Sequence, residues 1–392
     1  AGELRQAGFT VTEGFGKYSR AWRKPYGVIA TLKNGDGPTV LLRADMDALP
    51  VKEETDLPYA SKVTAKDELG QDVSVMHACG HDIHVTNLIG VARLLAARKE
   101  QWKGTLLLIG QPAEERGAGS QSLLAAGLYE KFPRPDFAVA LHDNADIPAG
   151  KIGYRSGQAY ANVTSVDLTV RGRGGHGARP QKTKDPVVLA AQIILSLQTI
   201  VSREIGPLDP AVVTVGSIHG GTKHNIIPDE VKLQITVRSY KEEVRQQILA
   251  SIERHARGAA IGAGVPEELA PVMSVEDNAF TPSVFNDPKL IERLLPVWQK
   301  GLGGENVVAA GPLMGGEDFA RYGLDQKIPI VMFWVGAVAP DKLAESLKSG
   351  ETLPGLHSPR FAPLAEPTLR TGVKAMTLAA LELLQKAPDR GP

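Results

Sequence analysis

The sequence lacks the cysteines for a disulfide bond within the chain and the excess of basic residues that would attract a polyanion. Cys79 is the single cysteine among 392 residues, which excludes an intrachain disulfide. Lysine and arginine together number 44, as do aspartate and glutamate, so the formal net charge is zero. Because no basic field is available, we expect neither nucleic acid nor a membrane as a partner.

Long apolar runs are also scarce. No stretch of the sequence approaches the roughly 18 apolar residues that a membrane span needs. Residues 1–11 have no apolar core behind a basic start, unlike a signal peptide, and are typical of the end of a helix that runs into a strand. We expect a cytoplasmic protein. An exported protein is the alternative, because the sequence starts within an element.

The hydrophobic pattern of residues 1–160 is typical of an α/β domain. Apolar runs at 105–113 and 137–142 alternate with helical stretches, which indicates a largely parallel sheet. The runs 27–34 and 39–46 surround a glycine-containing turn and are predicted to pair with each other. Further predicted elements are helices at 85–99, 287–301 and 366–386 and a strand at 329–336.

A different pattern separates the two α/β parts. Strands and helices follow one another there in the order β-α-β-β-α-β, which is a self-contained two-layer unit. We therefore predict a discontinuous α/β catalytic domain, residues 1–160 and 275–392, interrupted by an α+β domain at 161–274. Such a division suits the length of the chain, which exceeds what one core usually supports. The inserted elements are strands at 163–172, 211–220, 230–240 and 271–276 and helices at 185–203 and 241–258.

The densest chemical signal is the segment 76–84, MHACGHDIH. Three of the nine histidines and the single cysteine lie in it, and imidazole with thiolate is a donor set that suits Zn²⁺ and its neighbours. Cys79 and His81 precede a predicted helix and can face one point. The alternative is a polar turn with Asp82 as a helix cap. So many candidate ligands in one loop favour a metal site.

Carboxylates and a histidine follow the predicted central strands. Glu114 and Glu115 come directly after the run 105–113, at the end where open α/β sheets place their sites. Elsewhere, adjacent carboxylates usually mark a solvated surface. One glutamate can bind metal while the other holds or deprotonates a water. His142 ends the next run, and the aspartates of RADMD, which end an earlier strand, could ligate metal or accept from a ligating histidine.

These residues together predict two metal ions. A single catalytic zinc takes about three protein ligands, whereas five ligands fit two ions that share one of them, roughly 3.5–4 Å apart. Zn²⁺ is the expected ion, with Mn²⁺, Co²⁺ and Ni²⁺ as alternatives that ligand type ranks only weakly. His357, a loop residue far along the chain, carries no signal alone. The five candidates are Cys79, His81, Glu115, His142 and His357.

Seven separated motifs resemble the M20 metallopeptidase family, most closely its aminoacylase branch of hippurate and indole-acetyl-amino-acid hydrolases. They occur in that family's order and spacing over nearly the whole chain. The departure is at the start, where the family's usual helix with a His-Pro-Glu segment does not precede Ala1. The motifs are RADMDALP, MHACGHD, QPAEE, GGHGARP, HNIIPDE, GGEDF and GLHSP.

The resemblance implies a role for each matching residue. It implies that Cys79 bridges the ions, that Glu114 is the catalytic base, and that His176 steadies the tetrahedral oxyanion, usually from the partner subunit. It also implies that the inserted domain is a lid that dimerises, so we expect a homodimer or higher homo-oligomer. The other matches are His81, Glu115, His142 and His357 as metal ligands, Asp47 as the carboxylate that orients a ligand, and Asn225 and Arg238 as residues that hold the substrate carboxylate.

The predicted function is metal-dependent hydrolysis of N-acyl or N-aroyl L-amino acids to a carboxylic acid and a free amino acid. A carboxypeptidase or dipeptidase on the same metals is one alternative. A relative that only binds metal or ligand is another, against which an intact Glu114 counts. A third would use Cys79 as nucleophile with His81 as base, an arrangement that two-residue spacing disfavours. The remaining histidines, interpreted as structural or as neighbours of ligands, include His84, His219, His224 and His255.

Overall fold

The computed structural model describes residues 1–18, 24–67, 69–275 and 280–385, so residue 276 of one predicted strand and residue 386 of the last predicted helix lie outside it. The chain divides into two compact units. Unit 1 comprises Ala1–Ala159, Val284–Pro312 and Asp318–Pro392, and unit 2 comprises Tyr160–Ser283 and Leu313–Glu317.

Unit 2 extends beyond the predicted boundaries of 161–274. The short strand Phe280–Thr281 pairs with Asn162–Arg171 and thereby belongs to the sheet of unit 2. A second segment of the chain also returns to it, because the Ala161 N–H donates to the carbonyls of Leu313 and Gly315, both at 3.1 Å. Neither feature has a hydrophobic period long enough to be seen in the sequence.

The core of unit 1 is an eight-stranded sheet with a parallel centre. Thr39–Asp45 pairs in parallel with Gly104–Gln111 and Phe137–Pro148, and the last of these pairs in parallel with Ile330–Val338. This arrangement confirms the predicted α/β fold. The spatial order of the strands is Thr10–Phe15, Gly27–Asn34, Gly104–Gln111, Thr39–Asp45, Phe137–Pro148, Ile330–Val338, Ile152–Tyr154 and Val307–Ala309.

The predicted pairing of residues 27–34 with 39–46 is wrong. Both segments form strands, but Gly104–Gln111 lies between them, antiparallel to the first and parallel to the second. Every residue of Gly104–Gln111 is buried. Its apolar side chains are covered on both faces at a central position of the sheet, which a strand at the edge would not achieve.

Helices cover this sheet, and one of them positions the candidate site. Helix His81–Ala97 begins four residues earlier than predicted, because the Gly80 carbonyl accepts from the N–H groups of Ile83 and His84. Gly80, not Asp82, occupies the N-cap. The other helices of unit 1 are Gly2–Gln6, Gly119–Ala125, Leu128–Lys131, Pro288–Leu302, Pro340–Ser349 and Ala365–Leu383.

Unit 2 is an antiparallel sheet with two long helices, in the predicted order of elements. Along Glu230–Ser239 the buried residues Val231, Leu233 and Ile235 alternate with exposed ones, as a sheet with one covered face requires. The strands are Asn162–Arg171, Ala211–His219, Glu230–Ser239, Val272–Ser274 and Phe280–Thr281, and the helices are Pro186–Thr199, which continues as a π-turn through Ile200–Glu204, and Glu242–Gly262.

The expectation that no stretch of the sequence is apolar enough to span a membrane is wrong for the first of these helices. Among the described residues, Pro186–Glu204 is long and apolar enough to cross a membrane by length and composition. Leu189, Ile193 and Leu197 on one of its faces are buried in the core of unit 2. Core helices of soluble domains can have the same length and composition, so the feature by itself identifies no membrane segment.

Candidate metal centre

A glycine turn brings Cys79 and His81 into the candidate site. Gly80 between them has a φ of 72°, a left-handed conformation that side chains with a Cβ rarely adopt. A Cβ at Gly80 would also lie 2.2 Å from Asp143 Oδ2. Both constraints require glycine at this position, so the turn that connects the two candidate ligands depends on it.

The first group of candidate ligands consists of Cys79, His81 and His142. All three are buried, and one donor atom from each lies within 4.8 Å of the others; Cys79 Sγ is 3.6 Å from His142 Nε2. His142 Nδ1 lies 2.7 Å from the Asp143 carbonyl and His81 Nδ1 lies 2.9 Å from the Asp47 carbonyl. Because a carbonyl can only accept, each Nδ1 is the donor, and Nε2 keeps its lone pair for a metal.

The second group consists of Cys79, Glu115 and His357. Their donor atoms also lie within 4.8 Å of one another, and His357 Nε2 is 3.5 Å from Glu115 Oε2. The His357 N–H donates to the Ala78 carbonyl at 2.7 Å, which ties this distant loop to the residue before Cys79. His357 has a φ of 68°, an uncommon conformation of the kind that clusters at functional sites.

The donor atoms have the spacing that shared cations require. His81 Nε2 and Glu115 Oε1 are buried and, within the described part of the chain, have no hydrogen-bond partner, which is costly if nothing else pairs with them. Within the two groups, Cys79 Sγ lies 3.6 Å from His142 Nε2, and His357 Nε2 lies 3.5 Å from Glu115 Oε2. Two ligands of one tetrahedral zinc lie roughly 3.3–3.8 Å apart. The residues therefore fit bound divalent cations, and Cys79 belongs to both groups.

Glu114 and Glu115 are presented by a tight turn after the central strand Gly104–Gln111. Ala113 at the turn has a φ of 58°, and both glutamates are half-buried. Asp47 Oδ2 accepts from the Glu115 backbone N–H at 3.0 Å. The Asp47 carboxylate thus orients Glu115, while its carbonyl accepts from His81. The family resemblance implied that the Asp47 carboxylate orients a ligand, and the structure adds its backbone carbonyl as the acceptor of His81.

The negatively charged groups around His81 favour positive charge there, either a proton on its imidazole or a metal ion bound to it. Burial opposes protonation of His81, but the Asp45 carboxylate and the hydrogen bond that His81 donates to Asp47 outweigh it and raise the pKa of His81 well above its ordinary value. For Asp45, burial favours the neutral acid and raises the pKa, but Arg43, His81 and His84 together hold that pKa well below its ordinary value. A metal ion bound to His81 would take the place of that proton.

Behind the ligands lies a buried layer of which the sequence analysis missed Asp143, whereas it considered Asp45 and interpreted His84 as structural or as a neighbour of ligands. Asp45, His84 and Asp143 are all buried. His84 Nδ1 lies 2.5 Å from Asp45 Oδ1, and the Asp143 N–H donates to His84 Nε2 at 2.9 Å. His84 lies three residues after His81 in the first turn of one helix. That His-x-x-His spacing is the signal that could have identified it.

A second group of buried hydrogen bonds, all accepted by Asp318, supports the turn that carries Glu114 and Glu115. Asp318 Oδ1 accepts from Gln111 Nε2 at 2.6 Å and from Arg43 Nη2 at 3.2 Å, while Oδ2 accepts from the Ser120 N–H at 2.9 Å. Gln111 and Ser120 bracket the turn that carries Glu114. The GGEDF motif therefore contributes Asp318 as a support for the turn.

Three predicted site residues lie in unit 2. The structure brings His176 and Asn225 together, because Gly177 N–H donates to the Asn225 carbonyl at 2.9 Å and His176 pairs with Ile226. Both side chains are exposed. Arg238, near the end of Glu230–Ser239, is half-buried, and its Nη1 donates to the Met314 carbonyl at 2.8 Å.

Comparison with known proteins identifies close relatives. Residues 41–382 match the family model Peptidase family M20/M25/M40. The chain is 39% identical over 311 residues to the N-acetylcysteine deacetylase of Bacillus subtilis (strain 168), which covers 79% of this chain and 76% of the relative. It is 34% identical over 386 residues to thermostable carboxypeptidase 1 of Saccharolobus solfataricus, 98% of this chain and 88% of the relative.

A solved structure extends the comparison to metal content. A Bacillus subtilis protein described as a dinuclear metal binding peptidase from the M20 family superposes with a TM-score of 0.74 at 31% identity. The superposition covers 97% of this chain and 90% of that protein. Both its sequence and its fold therefore resemble those of this chain over nearly their full length.

Proposed function

The chain belongs to peptidase family M20/M25/M40, and we propose that it hydrolyses the amide bond of N-acyl L-amino acids with two divalent metal ions. The observation that carries the proposal is the pair of ligand groups that share Cys79, with Glu114 beside them. The deacetylase relative is named for an N-acetyl amino acid, which supports this substrate class.

The proposed ligands divide between two ions. Cys79, His81 and His142 would hold one ion, and Cys79, Glu115 and His357 the other. When bound, two such ions supply Lewis-acid chemistry, which polarises a carbonyl and makes a water easier to deprotonate. Thiolate and imidazole donors favour Zn²⁺, which we propose as the native ion.

Glu114 is the proposed general base. Its Oε2 is 4.0 Å from His81 Nε2, so its carboxylate lies at the edge of the ligand set. Glu114 would take a proton from the attacking water and later deliver it to the departing amine nitrogen, which leaves the carboxylate ready for another turnover. The neighbouring Glu115 is oriented by Asp47 instead, so adjacent glutamates can serve different purposes.

We propose that unit 2 supplies the groups that bind the substrate and its developing charge. The Ala178 N–H donates to His176 Nδ1 at 3.1 Å, so a neutral His176 carries its proton on Nε2 and presents a donor for an oxyanion. Arg238 offers a planar fork that matches a carboxylate, and Asn225 adjoins His176.

Two features of unit 2 support the homodimer that we propose. Ala211–His219 is an edge strand whose outer backbone groups can pair with another strand. Large apolar side chains are exposed near it and along helix Pro186–Thr199: Ile218 is 50% exposed, Val188 55% and Leu195 72%. We propose that a second copy of this chain covers these residues, since exposed apolar side chains of this kind favour association.

The test is release of free amino acid from a panel of N-acyl amino acids and dipeptides. Each substrate is assayed before chelation, after chelation, and after divalent cation is added back. Hydrolysis that stops on chelation and returns with metal supports the proposal. Faster turnover of dipeptides would favour a carboxypeptidase or dipeptidase, the activity named for the Saccharolobus relative. No hydrolysis by protein that holds two metals per chain would favour a binding role.

A further inference from the structure

We infer that His84 is a positioning residue that sets the affinity of one of the two ions, the one held by Cys79, His81 and His142. The inference rests on the proposed two-metal centre. His84 is not among the proposed ligands, and its side chain is only 1% exposed. Its contacts connect it to two of the three residues that would hold this ion.

The two shortest hydrogen bonds of His84 assign its tautomer, although Nε2 also lies 3.2 Å from Asp143 Oδ1. Nδ1 lies 2.5 Å from Asp45 Oδ1, so it donates, and Nε2 accepts from the Asp143 backbone N–H at 2.9 Å. Both ring nitrogens are thus used within the protein. The imidazole joins the end of strand Thr39–Asp45 to the middle of the neighbouring strand Phe137–Pro148.

His84 is connected to His142 through the backbone of Asp143. The Asp143 carbonyl accepts from His142 Nδ1 at 2.7 Å, and Asp143 Oδ1 lies 3.2 Å from the same nitrogen. The rings of His84 and His142 are also in edge contact, with centroids 4.6 Å apart. By holding the backbone of Asp143, His84 keeps the acceptor of His142 in place and so keeps Nε2 directed towards Cys79.

His84 is connected to His81 through the carboxylate of Asp45. Asp45 Oδ2 lies 3.6 Å from His81 Nε2, while Oδ1 is occupied by His84. If His84 were removed, Asp45 Oδ2 would keep its ion pair with Arg43 Nη1 at 2.6 Å, but the buried Oδ1 would lose its donor and could turn towards His81 Nε2, because a buried carboxylate oxygen without a donor gains by pairing. Asp45 would then compete with the metal for the same nitrogen. His84 therefore protects the lone pair of His81.

The second ligand group is held through different contacts. Glu115 is oriented by Asp47 Oδ2, and His357 is held by the Ala78 carbonyl. Loss of His84 removes neither of these hydrogen bonds. The structure therefore predicts a selective effect: the ion held by Cys79, Glu115 and His357 keeps its affinity while the other ion weakens.

The experiment is competition for Zn²⁺ between the protein and a chromogenic chelator, which measures the affinity of each ion. We expect two ions per wild-type chain. His84→Ala should weaken one ion by roughly 10–100-fold, the usual effect of losing a residue that orients a ligand, with the other unchanged. His84→Gln, which can both donate to Asp45 and accept from Asp143, should recover part of the loss.

Asn87→Ala is the matched control. Asn87 is buried one turn further along the same helix and donates to Met376 Sδ at 3.3 Å, away from the ligands. It should keep both affinities, whereas thermal unfolding of the metal-free variants reports any general damage. If His84→Ala does not fold, His84→Gln carries the comparison.

Three outcomes would overturn the inference: both ions weaken equally, neither weakens, or Asn87→Ala gives the same loss. The proposed metal centre is tested separately, because wild-type protein that binds fewer than two ions contradicts that proposal whatever the variants do.

Discussion

Cys79 Sγ lies 3.6 Å from His142 Nε2, although 63 residues separate them in the sequence. The same sulfur lies within 4.8 Å of donor atoms from Glu115 and His357. A side chain shared by two groups of ligands is the arrangement that a bridging thiolate requires, since a pair of cations would hold the sulfur deprotonated. Cys79 is therefore the residue on which both groups depend.

Cys79→Ser should lower the metal content and not the catalytic rate alone. A hydroxyl is a poorer donor than a thiolate for zinc, so we expect at least one of the two ions to be lost on dialysis, with activity falling in parallel. Metal content per chain by elemental analysis checks this. If the variant retains both ions and is nevertheless inactive, Cys79 acts as a nucleophile instead.

Glu114→Gln should show the opposite behaviour. The amide is nearly the same size but cannot accept the proton of water, so turnover should fall by about 10²–10⁴-fold, the range for a general base. Metal content should stay at the wild-type value, because Glu114 is not in either three-ligand group. A variant whose kcat stays within a few-fold of the wild-type value would remove Glu114 as the base.

Part of this site could be predicted from the sequence because the strands of a parallel sheet end at one edge. Glu115 follows the strand Gly104–Gln111, and His142 ends an apolar run, although its strand continues to Pro148; donor atoms of both residues lie near Cys79. Asp143 was missed and the partners of His84 were not identified, because both depend on which backbone groups meet, and Asp143 N–H meets His84 only in the folded chain.

The positions of the strands could also be predicted from the sequence, but their order in the sheet could not. Runs of apolar residues located the strands, but they contain no information about which strand lies beside which. Gly104–Gln111 therefore came between two strands that had been expected to pair. Segment Leu313–Glu317 joined unit 2 through backbone contacts around Ala161, which no side-chain pattern records.

The proposed role of His176 across a dimer can be tested by mixing. His176→Ala and Glu114→Gln should each be nearly inactive alone. If His176 acts on the partner's site, a mixed dimer contains one site with both residues intact, so unfolding and refolding the two together should restore up to about a quarter of wild-type activity. Differently tagged subunits verify the mixing. No recovery in a verified mixed dimer would place the action of His176 within its own chain.

The stability of unit 2 should depend on the ionisation of Glu204. Hydrogen bonds from Ser251, His255 and Arg254 lower the pKa of Glu204 from 4.5 to about 2, and the first two have donor–acceptor distances of 2.6 Å. A carboxyl whose pKa is lower in the folded state stabilises that state above its unfolded pKa. The stabilisation is lost as the pH falls through the folded pKa.

Glu204→Gln should therefore unfold at a lower temperature than the wild type near pH 7, and the difference should shrink as the pH falls from about 4.5 towards 2. Glu253→Gln is the matched control on the adjacent helix, because Glu253 is 54% exposed and only approaches Arg257 at 3.5 Å. An exposed pair of this kind contributes little, so its unfolding temperature should follow the wild type throughout. A difference for Glu204→Gln that stays constant into acid would mean that the glutamine disturbs packing, and that the charge of Glu204 does not stabilise unit 2.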